Sequence, residues 1–471
     1  LRKPFRLKIV SSETLDFNRE VEIRIAKRFA IRLSSILKAG VFLVLHKFLP
    51  TMTKNRNSQP SEKTTKKSAL LAIFLTVFID LLGFGIVLPL LPIYAKEFTL
   101  DDSGWIIGLL MASFSAMQFL FAPVWGRISD RFGRRPIILI GLTGSTVFYA
   151  LFGLATMWRS LGWMFVSRIG AGVAGATIST AQAYIADVTT KEKRTHGMAL
   201  IGMAFGLGFT LGPLLAAVAL LSAESDGGLS PWPGFLASGL SFCAFLFAFF
   251  KLKESRKPGG EFIERRWFDF GSFREALAIP TIGMLLLISF LAILSFANFE
   301  GVLSVLLKTE KGGFGFDLRN VMLFFALLGF IHALAQGMVR SLSKRMPEEK
   351  LAMLGTTVSV CGFGFLTWAT VDLSIAMLVL GMLVLAFGFA FIPAAIQALI
   401  SRRSDPEKQG GILGVGQSLG ALARILGHTI CFPLFAVGAF LPLLTGALLM
   451  FVALLLVTWV KNHGEDFSEV E

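Results

Sequence analysis

Twelve runs of nearly uninterrupted apolar residues set the limits on this chain, because crossing the hydrocarbon of a bilayer takes a helix of about 20 such residues. They fall at 69–94, 104–125, 137–157, 162–186, 197–222, 232–251, 281–307, 320–340, 351–370, 374–400, 411–435 and 438–460. A soluble core of this chain length does not gather its apolar residues into blocks of that size. Backbone polar groups in lipid must be satisfied within the segment, and β-type alternation is absent, so each run is expected to be a helix. The chain therefore predicts an all-α, multi-pass membrane protein with twelve transmembrane helices. Only 16% of its residues are charged, where soluble proteins average about 25%.

The net charge of +14 looks like a nucleic-acid signal until it is located. An excess of +11 lies in residues 1–67, with 16 basic and 5 acidic side chains, and the rest is nearly balanced. Attraction to anionic lipid explains such a tail more simply than DNA does, so the expected surroundings are a bilayer and not a nucleic acid. Within the tail, "AGVFLVLHKFLP" (39–50) is too short to span and carries Lys47. Met52 stands just before the polar lead-in to the first run, which points to a start at Met52 with 1–51 dispensable. The other reading of 1–51 is a basic amphipathic segment lying on the membrane. Cys243, Cys361 and Cys431 each sit alone in an apolar block, which predicts three small core residues and neither disulfides nor a metal site.

Orientation follows from lysine and arginine in the connections. With the N-terminus inside, the inner connections collect about 22 basic residues, against Lys96, Arg159, Lys308, Lys311 and Arg319 outside. Both termini are then cytoplasmic, and the expected location is the cell membrane. The longest inner connection joins the sixth run to the seventh and carries "KLKESRKPGGEFIERR", polar and punctuated by glycine and proline, as a linker is. It sets out a basic tail (1–67), a six-helix half (68–252), a linker (253–280), a second half (281–461) and a short tail (462–471). The stretch "GRISDRFGRRPIIL" after the second run is echoed by "GMVRSLSKRMPEEKLAML" after the eighth, with Ser341 where the first has Asp130. Duplicated halves predict two pseudo-symmetric six-helix bundles with a substrate path between them.

Topology alone would account for the arginines of the first stretch, but not for Asp130 or for Gly126 and Gly133. The pattern G-x-x-x-D-R-x-G-R-R resembles the signature of the major facilitator superfamily. That resemblance implies a cytoplasmic gate of Gly126, Asp130, Arg131, Gly133, Arg134 and Arg135, in which Gly126 allows close helix approach. Asp130 would face a helix N-terminus of the other half, and Asp187, at the inner end of the fourth run, could pair with the arginines. The first run, "FIDLLGFGIVLPLLP", holds Asp80 near its middle, where a charge costs about 2.5–3.5 kcal/mol on insertion scales. Asp80 is either a hydrogen-bonded anchor or a reversible proton carrier. Its setting, with Gly83, Gly85, Pro89 and Pro92, is similar to the first span of tetracycline/proton antiporters, as is "AYIADVT" followed by Lys193 and Arg194. Arg168 cannot shed its charge inside the fourth run, and Asp80 is the nearest candidate for its partner. Gly208, Gly212 and Pro213 match the G-x-x-x-G-P core of the antiporter motif, with Ala216 and Ala217 replacing the glycines that usually follow.

Other residues stay more open. The G-x-G-x-x-G of Gly170, Gly172 and Gly175 has no preceding strand, so helix packing explains it better than a dinucleotide. Glu300 is either a second proton-coupling group or a glutamate reaching the interface. G-x-S-x-G at 416–420 lacks the setting of a nucleophile elbow, and no Walker loop or HExxH occurs, so no enzyme activity and no cofactor is expected. Gln118, Gln182, His332, Gln336, Gln397, Gln417, Arg424 and His428 are candidate polar groups of a cavity. Taken together, the resemblance implies a monomeric antiporter that exports amphipathic small molecules, driven by a proton gradient. The rivals are a proton-linked nutrient importer on the same fold, a membrane receptor, and a membrane-embedded enzyme.

Overall fold

The computed structural model describes residues 62–99, 101–189, 194–223, 229–255, 274, 280–310, 312–343, 345–404 and 409–463. The start at Met52, nearly all of the basic tail, Lys193, most of the 253–280 linker and the C-terminal end lie outside them, as do the side chains of Arg194 and Ser341. Among the described residues, twelve helices are long and apolar enough to cross a membrane. They are α1 (Ala69–Phe98), α2 (Trp105–Phe132), α3 (Arg134–Met157), α4 (Leu161–Val188), α5 (Leu200–Ala219) and α6 (Trp232–Lys251). They continue as α7 (Thr281–Lys308), α8 (Leu318–Val339), α9 (Glu348–Asp372), α10 (Ile375–Arg403), α11 (Ile412–Val437) and α12 (Leu441–His463).

Three of them are interrupted. α1 breaks between Val87 and Leu91, around Pro89, whose ring carries no N–H to continue the ladder. α10 breaks at Ala390, between Phe389 and Phe391, because Pro393 cannot bond back to the carbonyl of Phe389. α4 breaks at Ala176 and Thr177, after a run of small residues. The breaks in α4 and α10 fall six helices apart.

Packing repeats with the same offset. α1 lies on α5 and α6, α3 on α4 and α6, and α2 on α4; α7 lies on α11 and α12, α9 on α10 and α12, and α8 on α10. Adding six to each number of the first set gives the second. Two further pairs, α2 with α11 and α5 with α8, join the sets and exchange under the same operation. At both joints the backbones approach closely at or beyond mid-span. A Cβ on Gly108 of α2 would stand 2.8 Å from the carbonyl oxygens of His428 and Thr429 in α11, and one on Gly329 of α8 would stand 2.6 Å from that of Phe209 in α5. At the other end nothing lies within 4 Å of a Cβ placed on Gly126 (α2), Gly414 (α11), Gly202 (α5) or Gly337 (α8). The α2–α11 seam is closed at its Gly108 end and open at its Gly126 end, and the α5–α8 seam, tight at mid-span, is open at the end that carries Gly202 and Gly337.

Two expectations are corrected here. Gly126 makes no close helix approach, because the seam is open at its level. Of the three cysteines only Cys431 is buried; Cys243 and Cys361 are exposed, since the outer face of a membrane helix is as apolar as its core face and periodicity does not separate them.

Candidate functional site

The charged knot after α2 is built around Arg134, the first residue of α3. Gly133 breaks the chain there with φ +100°, a conformation that side-chain-bearing residues rarely adopt. The break turns the Arg134 side chain under α2 and α4. Its Nη2 lies 2.7 Å from Asp130 Oδ1, its Nε 3.1 Å from Asp187 Oδ2, and its Nη1 donates to Ser129 Oγ at 2.6 Å. Asp187 also accepts from Ser255 Oγ at 3.0 Å. Two arginines at a helix N-terminus oppose the macrodipole, and Glu254, just beyond α6, offsets them. Its two carboxylate oxygens accept from the backbone N–H groups of Arg134 and Arg135 at 2.9 and 3.1 Å. Arg135 donates to the Phe249 carbonyl at 2.6 Å, and Arg131 lies over the Phe132 ring. Asp187 thus meets Arg134 as anticipated. The carboxylate at a helix N-terminus is Glu254, on α3 and from the same set of helices, whereas Asp130 pairs with Arg134. Sequence reading missed Glu254 and Ser255 because they are more than 100 residues from the knot they complete.

The opposite set makes the equivalent junction with reversed sign. Glu348 and Glu349 begin α9 and pair with Arg402 and Arg403 at the end of α10. Acids at an N-terminus and bases at a C-terminus already suit the macrodipole.

Asp80 lies in the middle of α1. Its Oδ1 accepts from Ser241 Oγ of α6 at 2.9 Å, and Ser145 of α3 is a second hydroxyl partner. A cavity of about 20 Å³, lined by Asp80, Thr76, Leu142, Thr177 and Ile178 among others, has room for about one water. Asp80 and Arg168 form no ion pair. The Arg168 guanidinium, 1% exposed, lies 4.5 Å from the centre of the Phe114 ring, and its Nε and Nη1 have no hydrogen-bond partner. Buried Tyr149 stands close enough to act electrostatically on both groups. The depth of Arg168 was legible; the direction of its side chain was not.

α1 and α5 touch through glycine. A Cβ on Gly85 would stand 2.5 Å from the Gly208 carbonyl, and one on Gly212 2.7 Å from the Gly85 backbone. Pro213 lies inside α5, and Ala216 and Ala217 are buried. Gly172 of α4 likewise meets the Phe114 carbonyl, which accounts for the glycine-rich run as packing.

A second polar group forms among α7, α8 and α11. His428 Nε2 lies 3.8 Å from Glu300 Oε2, and Glu300 also acts on Arg424 and His332. The break in α10 helps hold it together. The Ala390 N–H turns to Gly388, and the Ala386 carbonyl that it would otherwise serve accepts from His332. Phe296 and Phe389 stack beside it with centroids 4.1 Å apart. Of the glutamines, Gln118 donates to the Gly175 carbonyl at the α4 break at 3.4 Å, and Gln182 is half-buried. Gln336, Gln397 and Gln417 are exposed on α8, α10 and α11, outside both groups.

Comparison with known proteins places the chain in a family. The family model of the Major Facilitator Superfamily matches residues 73–428. The tetracycline resistance protein, class C, of Escherichia coli is 33% identical over 376 residues, 79% of this chain and 91% of its own length. Major facilitator superfamily domain-containing protein 10 of Mus musculus is 26% identical over 455 residues, 86% of this chain and 96% of its own. The crystal structure of the human organic anion transporter MFSD10 (TETRAN) matches with a TM-score of 0.63 at 26% identity, covering 85% of this chain and all of its own.

Proposed function

The chain belongs to the major facilitator superfamily and is a transporter, not an enzyme, and from that premise we propose that it exports amphipathic small molecules in exchange for protons. The observation that carries this reading is the setting of Asp80. A carboxylate held by an arginine would stay ionised. Asp80 instead has two serine hydroxyls and a one-water cavity beside it, so it can take up a proton and release it. Identity to tetracycline resistance proteins over most of the chain supports export, and the Phe296–Phe389 stack and the Phe114 ring at Arg168 suit apolar, loosely specified ligands. One charge falling through about 100 mV releases about 2.3 kcal/mol, enough for a gradient of roughly fifty-fold.

The remaining features agree with the same reading. The Arg134 knot faces the cytoplasm, as the positive-inside rule demands, and both termini lie there. The twelve helices then form two six-helix halves of a monomer in the cell membrane, closed toward the outside and open toward the cytoplasm. No cofactor takes part. Asp80→Asn keeps the size of the side chain and part of its hydrogen bonding but cannot exchange a proton. In proteoliposomes it is expected to bind a tetracycline yet lose proton-driven accumulation, and in detergent to release no proton on drug addition. Accumulation that still scales with the imposed pH difference would reduce Asp80 to a structural anchor. Accumulation in right-side-out vesicles, driven by an acidic exterior, would reverse the direction and favour an importer.

A further inference from the structure

The backbone of His428 and its side chain belong to different contacts. The backbone is the closed seam: its carbonyl and that of Thr429 receive Gly108 of α2. Pro433, four residues on, has no N–H to return to Thr429, which leaves that carbonyl facing α2 instead of bonded within α11. One turn further, a Cβ on Gly104 would meet Phe432 at 2.8 Å, so the end of α2 rests on the whole turn from His428 to Phe432. The side chain points the other way, toward α7. It is 4% exposed, both ring nitrogens lack hydrogen-bond partners, and Nε2 stands 3.8 Å from Glu300. Gly301, next to Glu300, leaves the gap that the imidazole and Cys431 Sγ fill.

We propose that Glu300 and His428 form a second proton site, on the helices opposite those that hold Asp80, and that its proton clamps the seam between α2 and α11 shut. The proposal rests on the proton-coupled reading above. Glu300 from α7 faces the His428 ring and Cys431 of α11 donates to its carbonyl, while His332 from α8 and Arg424 from α11 act on Glu300; from α2 the backbone at Gly108 meets the His428 carbonyl. Arg424, one turn before His428, sets a positive charge against the Glu300 carboxylate. A protonated imidazole then finds a carboxylate opposite it, and the attraction holds α11 on α7 in the register that presents its carbonyls to Gly108. Loss of the proton removes the attraction and frees α11 to leave α2. A proton stabilises whichever state gives it the better partner, and the partner is in place in the state closed at this end. For an exporter the sign is serviceable: protonation favours opening to the cytoplasm, and release there allows return.

The test places spin labels at the ends of the seam, through Trp105→Cys and Val437→Cys, both exposed positions, with Cys243 and Cys361 replaced by serine. Between about pH 5 and about pH 8, the range in which histidine titrates, the separated population should rise at least threefold. His428→Asn and Glu300→Gln should each abolish that rise, and Glu300→Asp should retain it. Should His428→Asn fail to fold, Glu300→Gln carries the same test from the other helix. A pH response that persists in His428→Asn or Glu300→Gln overturns the clamp. If Asp80→Asn alone removes it, the clamp falls while the antiport reading stands. A seam that ignores pH in the unsubstituted protein also overturns the clamp, and proton release from Asp80 on drug addition then decides separately whether antiport survives.

Discussion

At the scale of single residues, the gate region hangs on one buried guanidinium. Arg134 is 8% exposed and meets two carboxylates and a hydroxyl, so its removal takes a buried contact from three partners at once. Asp130 is more exposed than Asp187, so solvent screens its pair with Arg134 more strongly. Asp130→Asn should therefore leave insertion and folding intact while slowing turnover. Normal rates at equal membrane abundance would count against a gating role. Glu254→Ala acts differently, because it uncaps α3. Loss of a helix cap costs about 0.5–2 kcal/mol, so the variant should melt earlier in detergent, whereas Glu254→Gln should recover part of the loss. An unchanged melting temperature in Glu254→Ala would show that water replaces the carboxylate at no cost. The sequence revealed Arg134, Asp130 and Asp187 because a signature pattern and a helix end brought them together. It could not reveal Glu254, which depends on where α6 delivers the chain, or Tyr149 near both Asp80 and Arg168, which depends on how α1, α3 and α4 are rotated about their axes.

At the scale of elements, the twelve spans were legible almost to their ends, because run length against bilayer thickness is a strong constraint. The α1 and α10 breaks had a visible cause in Pro89 and Pro393. The α4 break had none, since small residues permit a break without compelling one. Gly85, Gly208 and Gly212 stood out in the sequence as motif glycines, but their meeting at the α1–α5 crossing did not, and that contact carries a quantitative expectation. Gly212→Val puts atoms where the Gly85 backbone stands, and overpacking of that kind costs about 1–3 kcal/mol. The variant should be less abundant and melt earlier. Gly126→Ala meets open space in this state, so its stability should change by less than about 0.5 kcal/mol. Its transport rate should nonetheless fall if the open end closes on Gly126 during the cycle. A large loss of stability in Gly126→Ala would mean that the seam is closed there at rest.

For the molecule as a whole, the six-helix offset has a mechanical consequence. The same two joints, α2 with α11 and α5 with α8, are tight at Gly108 and Gly329 and open at Gly126, Gly414, Gly202 and Gly337. A body hinged on two symmetry-related seams can exchange its open and closed ends by rocking, with little change inside either set of helices. Cysteines placed at Gly126 and Gly414, or at Gly202 and Gly337, should therefore remain uncoupled at rest, since a disulfide needs Cβ atoms within about 4.5 Å. Under a proton gradient with drug present, each pair should become bridgeable by a short thiol-reactive linker. The bridge should stop transport, and reduction of a cleavable linker should restore it. Both pairs must respond together, because one rigid rotation moves both seams. If only one pair is trapped during turnover, one seam opens by local bending of a helix, and the break in α4 or α10 becomes the place to look for the hinge. If neither pair is trapped by linkers of any length, the open end never closes and alternating access by rocking is wrong for this chain.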